Sequence, residues 1–119
     1  MLKPANRLKK KKDFDRVFKQ GRPCFNRLLG LKAIKNNLPD SRFGIVVSAK
    51  VSKQAVIRNK IKRQIRSILK KAAPELKTGY DYLVVACPAI NGEKYLTIEK
   101  NLDSHLSHLR LYKIGHTLK

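Results

Sequence analysis

One stretch limits what this chain can fold into. AVIRNKIKRQIRSILKK, from Ala55 to Lys71, holds Arg58, Lys60, Lys62, Arg63, Arg66, Lys70 and Lys71 without a single carboxylate. Successive residues of an α-helix turn by about 100°. With Ile57 at zero, Ile61, Ile65, Ile68, Leu69 and Ala72 fall within roughly 0–120°. That apolar arc has to be buried against a sheet. Arg58, Asn59, Lys62, Arg63, Arg66 and Lys70 fall between roughly 100° and 240°, as one contiguous band. The spacing predicts a helix over residues 52–73, ended by Pro74 and divided into a core face and a cationic face.

A solvated helix of an ordinary protein offsets such repulsion with Glu at i±4, worth a few tenths of a kcal/mol per pair. No acid occurs between Ala55 and Ala73. The counter-charge must come from outside, and a regularly spaced phosphate backbone is its natural source. Guanidinium forks suit bidentate phosphate contact, and Asn59 can donate and accept beside them. A solvated basic face is the bland alternative. The whole chain points the same way, with 28 Lys and Arg against 8 Asp and Glu, a formal charge of +20. Such a surplus opposes compaction unless a polyanion relieves it. A hydrophobic content of 42% nevertheless excludes a disordered tail, and 119 residues suit one domain.

The remaining segments supply the sheet. Phe14, Val17 and Phe18 recur at helical spacing before Gly21, so residues 10–20 read as a helix with Asp13 and Asp15 near its start. PCFNRLLGLKAIK and SRFGIVVSAKV read as two or three strands around the turn NNLPDS, the first either continuous or broken near Asn26. YDYLVVAC reads as a buried strand, and Ile98, Leu102, Leu106 and Leu109 mark a C-terminal helix over 95–111. The expected fold is a single-domain α+β sandwich of sheet and helices. Residues 1–9 are expected to form a flexible basic arm and residues 113–119 a flexible tail.

Several chemistries are disfavoured. The N-terminus has charge but no apolar run behind it, so it is not a secretory signal, and no stretch is long enough to span a bilayer. Cys24 and Cys87 lack metal-ligand spacing and read as reduced thiols of a cytoplasmic protein. His105 and His108 share a helical face; with no third ligand they read as surface residues. Asp13 and Asp15 are the only acids close in sequence, and their spacing points them apart on a helix. Neither a two-metal nuclease nor a paired-His ribonuclease is supported.

RNKIKRQIR, Arg58 to Arg66, resembles the Arg-Asn-x-x-Lys-Arg-x-x-Arg signature of the bacterial ribonuclease P protein component. RLKKKKDFDRVFKQG resembles that family's first segment and FGIVVSAK its central strand, so the similarity extends from about residue 6 to residue 112. The resemblance implies an α-β-β-β-α-β-α sandwich of the ribosomal protein S5 domain 2-like fold, with a left-handed crossover through the central helix. It implies a subunit of an RNA enzyme that removes the 5′ leader of precursor tRNA. The RNA would perform the hydrolysis with Mg²⁺ that it mainly holds itself, and the protein would bind no metal tightly. Its partners would be the catalytic RNA and the precursor's leader, with no membrane.

By position, Arg58, Asn59, Lys60, Lys62, Arg63 and Arg66 would face RNA. Phe14, Phe18, Val46, Ser48, Lys50 and Lys53 would border a leader-binding cleft, although Phe14 and Phe18 also suit core packing and Lys50 and Lys53 simple exposure. Two departures affect that cleft. Cys87 and Pro88 stand where relatives usually place Arg after the last strand, and Lys32 stands where some carry an aromatic. Two rival readings are a structural RNA-binding protein of ribosomal type and a DNA-binding helix.

Overall fold

The computed structural model describes residues 6–113. Its elements run α1 (Lys11–Gln20), β1 (Arg22–Phe25), β2 (Leu29–Lys35), β3 (Arg42–Val46), α2 (Ala55–Ala72), β4 (Tyr80–Ala86) and α3 (Tyr95–His108). This is the α-β-β-β-α-β-α order that the family resemblance implied. Asn26 separates β1 from β2, because its Oδ1 accepts from the Leu28 and Leu29 amides at 2.9 and 3.1 Å, an Asx turn that folds the chain back. The strands form one sheet in the order β1-β2-β4-β3. β1, β2 and β4 pair antiparallel, whereas β3 and β4 are parallel and joined through α2.

The two faces of the sheet are covered differently. Leu29, Leu31, Ala33, Phe43, Tyr82 and Val84 pack under α2 and α3 in the main core. Ile61, Ile65, Ile68 and Leu69 are the buried residues of α2, the arc that periodicity assigned to the core. Fully burying each such side chain contributes ~1.5–3 kcal/mol. On the opposite face α1 covers only part of the sheet, through a small cluster of Leu8, Val17 and Leu83 with Phe14 beside it.

Several boundaries differ from the sequence reading. β3 stops at Val46 and not Val51, since residues 48–51 turn with the Val51 amide donating to Ser48 O. α2 starts at Ala55 and not Ser52, whose Oγ accepts from the Gln54 amide ahead of the helix. α3 ends at His108 because Arg110 adopts φ 57° and the Leu111 amide donates back to Leu106 O, a Schellman closure. His105, expected at the surface, is 4% exposed in the core. Of the arm assigned to residues 1–9, residues 1–5 lie outside the described residues, but Leu8 is buried and its amide donates to Phe43 O at 2.9 Å. Residues 114–119, and with them most of the assigned tail, also lie outside.

Candidate RNA interface

Strand register sets out the partly open face of the sheet as rows. Phe25 pairs with Gly30, Gly30 with Val85, and Val85 with Val46, so these four residues cross the sheet side by side. Three interstrand gaps make this row about 14 Å long. The next row is Pro23, Lys32, Leu83 and Gly44, and the third contains Ile34, Asp81 and Arg42. α1 lies over the second and third rows: Phe14 approaches Gly44, Val17 clusters with Leu83, and Arg16 and Asp13 reach Asp81 and Arg42. The first row is left as the floor of a cleft walled by α1.

Most of the cleft residues named from sequence meet there. Phe18 is 52% exposed and Val46 is 36% exposed. Phe14 is half-buried, its ring so near Gly44 that a Cβ there would lie 2.6 Å from Cε1. It therefore packs into the small core and borders the cleft at once. Ser48, Lys50 and Lys53 are exposed in the β3–α2 connection beyond Val46. Val47 turns to the main core while Val46 does not, which is the alternation a strand requires.

Sequence reasoning missed Phe25. It is 47% exposed and lies flat over Gly30, where an added Cβ would be 2.0 Å from its ring. Lys32 stands between the two aromatics, its Nζ 4.1 Å from the Phe18 ring centroid and 5.9 Å from that of Phe25. A possible signal was the two-residue spacing of Pro23 and Phe25 in a strand, but only the register shows that Phe25 shares a face with Lys32. The Cys87 and Pro88 departure also gains a context. The Cys87 amide donates to Leu28 O at 2.9 Å, which sets exposed Arg27 in the chain segment beside the end of β4.

The acids of this face are occupied by the protein itself. Asp81 is fully buried and accepts from Arg42 Nε and Nη2 at 2.9 and 2.7 Å, from Asn36 Nδ2 at 2.9 Å, and lies 3.7 Å from Arg16. Asp13 holds the other arm of Arg42 at 3.2 Å. Hydrogen bonding to Asp81 pushes the Arg42 pKa up further and keeps it charged. This network clamps α1 to β3 and β4.

α2 presents the opposite situation. Among the described residues its only ion pair is Lys71 with Glu99, at 2.8 Å, away from the cationic band. Arg58 donates to Ser52 O at 2.9 Å, while Arg63 and Asn59 are exposed. Lys62 and Arg66 line a cavity of about 180 Å³ at the outer edge of β3, where Arg7 bridges Phe43, with Arg7, Leu8, Phe14, Phe43, Gly44 and Ile45. Among the described residues that lining has three cations and no carboxylate. Arg7 Nε is buried with no hydrogen-bond partner among the described residues, a cost that an anion would remove. The band of α2 thus meets the cleft around the β3 edge. Lys60 does not join it. It borders a separate hollow with Ile57, Ile61, Ile90 and Glu93 on the other flank of α2.

His105 has a different job. Its Nε2 lies 2.9 Å from Leu29 O, which can only accept, so Nδ1 is left to face Cys24 Sγ at 3.2 Å. Burial pushes the Cys24 thiol up, so it keeps its proton, and the thiol and the ring satisfy one another beside the core. Both cysteines are free. No group of three or more His, Cys, Asp or Glu among the described residues could hold a metal, and no helix among them is long and apolar enough to cross a membrane.

The family model described as Ribonuclease P matches residues 2–110. The chain is 36% identical over 112 residues to the ribonuclease P protein component of Synechocystis sp., covering 93% of this chain and 90% of that one. Among solved structures it is similar to the RNase P protein of Staphylococcus aureus, with a TM-score of 0.83 and 32% identity over 91% of this chain and 98% of that one. The Thermotoga maritima RNase P protein gives a TM-score of 0.77 at 29% identity, covering 86% and 96% of the two chains.

Proposed function

This chain belongs to the ribonuclease P protein family, and we propose that its two faces divide the work of that enzyme's RNA-binding subunit. Arg58, Asn59, Lys62, Arg63 and Arg66 bind the catalytic RNA, whose phosphates replace the carboxylates that α2 lacks. The cleft walled by Phe14 and Phe18 and floored by Val46 takes the single-stranded 5′ leader of precursor tRNA, with Lys50 and Lys53 at its mouth. One observation carries the reading: a carboxylate-free band of cations continues round the β3 edge, through Arg7, Lys62 and Arg66, to a half-exposed aromatic cleft. Cation bands track phosphate, and aromatic faces stack on unpaired bases. A ribosomal-type structural protein needs the first feature and not the second.

In this reading the protein contributes no nucleophile and no metal. Asp13 and Asp81 are committed to Arg42, so the donors near the cleft do not fit a protein-held Mg²⁺, and the ion belongs with the RNA. What the protein supplies is position and charge. It neutralises phosphate where two polyanions meet and holds the leader so that the scissile bond stays in the RNA's active site. Two unpaired thiols suit the reducing cytoplasm, where this processing would occur. Reconstitution tests the reading: purified protein added to a bacterial RNase P RNA at low Mg²⁺ should increase precursor cleavage at the mature 5′ end. No stimulation across a range of Mg²⁺ concentrations would overturn it.

A further inference from the structure

We propose that Phe25, with Lys32 and Phe18, forms a stacking subsite for one nucleobase of the leader, at the β1 end of the cleft floor. The inference rests on the leader-binding reading above and adds a residue and a place to it. Three observations carry it. Phe25 is a large aromatic left 47% exposed on a strand, although burying it would have been favourable. Gly30 removes the side chain that would otherwise occupy the space below the ring, since a Cβ there would collide with Phe25 at 2.0–2.4 Å. The ring therefore lies flat against the backbone with its outer face free. Lys32 Nζ is also held between the Phe18 and Phe25 rings, donating to Phe18 O. The site thus combines an exposed π-face with a fixed cation at its rim, the pairing that holds an unpaired base together with its phosphate.

The position carries information of its own. Phe25 and Val46 belong to one register row, and the Phe25 ring lies over Gly30, two interstrand gaps or about 10 Å from Val46. A strand that passes Phe14 and Val46 on leaving the β3 edge therefore reaches Phe25 a few nucleotides later. At 3.4 Å per nucleotide of a stacked strand, that span takes about three. Phe25 would read a nucleotide about that distance along the leader from the one at Val46.

The experiment uses the reconstituted holoenzyme and precursor tRNAs in which single leader nucleotides are replaced, one at a time, by abasic ones. With the native protein, one leader position should weaken binding by about five- to tenfold when abasic, the lower part of the range for a base on an aromatic ring. Phe25→Ala should weaken binding of the intact precursor by the same factor, leave mature tRNA unaffected, and abolish the penalty at that one position. Phe25→Tyr keeps the ring and should keep the native profile, which separates stacking from a folding defect. An abasic profile identical in Phe25→Ala and native protein would overturn the subsite. If the native holoenzyme showed no abasic penalty at any leader position and bound precursor and mature tRNA alike, the leader-binding reading itself would fall. A native penalty that Phe25→Ala leaves unchanged would remove only the subsite.

Discussion

Arg63 and Arg66 offer the most direct test of the α2 surface. Neither has a carboxylate partner among the described residues, one is exposed and the other lines the β3-edge cavity. Replacing both by Ala preserves helix propensity and removes no buried contact of the main core. Each lost phosphate contact lowers the dependence of log K on log salt by ~0.7–0.9, so the pair should flatten the slope by ~1.4–1.8. If the two proteins bind equally when extrapolated to 1 M salt, the variant binds RNase P RNA about 25- to 60-fold more weakly at 0.1 M and only about threefold more weakly at 0.5 M. The assay is a salt titration of RNA affinity by filter binding or fluorescence anisotropy. Lys71→Ala is the control, because Glu99 already neutralises that ammonium, and its slope should stay native. An unchanged slope in the double variant, or a loss equal at both salt concentrations, would refute the assignment of phosphate contacts to this band.

Two predictions concern the frame that holds the cleft. Asp81→Asn leaves Arg42 and Arg16 without their buried counter-charge. It should cost about 3 kcal/mol of unfolding free energy in urea, at the low end for breaking a buried pair because Arg42 keeps some solvent contact; a loss below ~1 kcal/mol would mean the network does not clamp α1. Tyr82 is fully buried, donates to Lys77 O at 2.6 Å, and has its phenol pushed well above the ordinary value by burial. The unfolded chain releases that proton near pH 10 while the folded chain keeps it, so this contribution is complete below about pH 10 and is lost as pH rises. Tyr82→Phe should cost about 1 kcal/mol at neutral pH or less, since Ser41 Oγ still reaches Lys77 O, and stability between pH 9 and 11 should then fall less steeply. A parallel decline in both proteins would refute the sign.

The sequence by itself determined the parts governed by local spacing and by what is missing. Periodicity alone sorts Ile61, Ile65, Ile68 and Leu69 from Arg58, Lys62, Arg63 and Arg66, and the absence of acids from α2 is legible without coordinates. Alternation separates Val46 from Val47, and Asn26 and Pro74 mark breaks through backbone chemistry each carries in any fold. Only the tertiary structure decided what depends on strand order and register. It seats α1 on one face and α2 on the other with β3 as the outer strand, bridged by Arg7, so that Arg7 lines one cavity with Lys62 and Arg66. It pairs Phe25 with Gly30 and draws His105, outwardly a surface histidine, against Cys24 and the Leu29 carbonyl. Asp81 shows the difference most clearly. In sequence it is one acid among eight, and its role appears only once β3 and β4 lie side by side and Arg42 stands opposite. Such contacts join residues tens of positions apart, and no local pattern encodes a partner whose distance is set by the sheet.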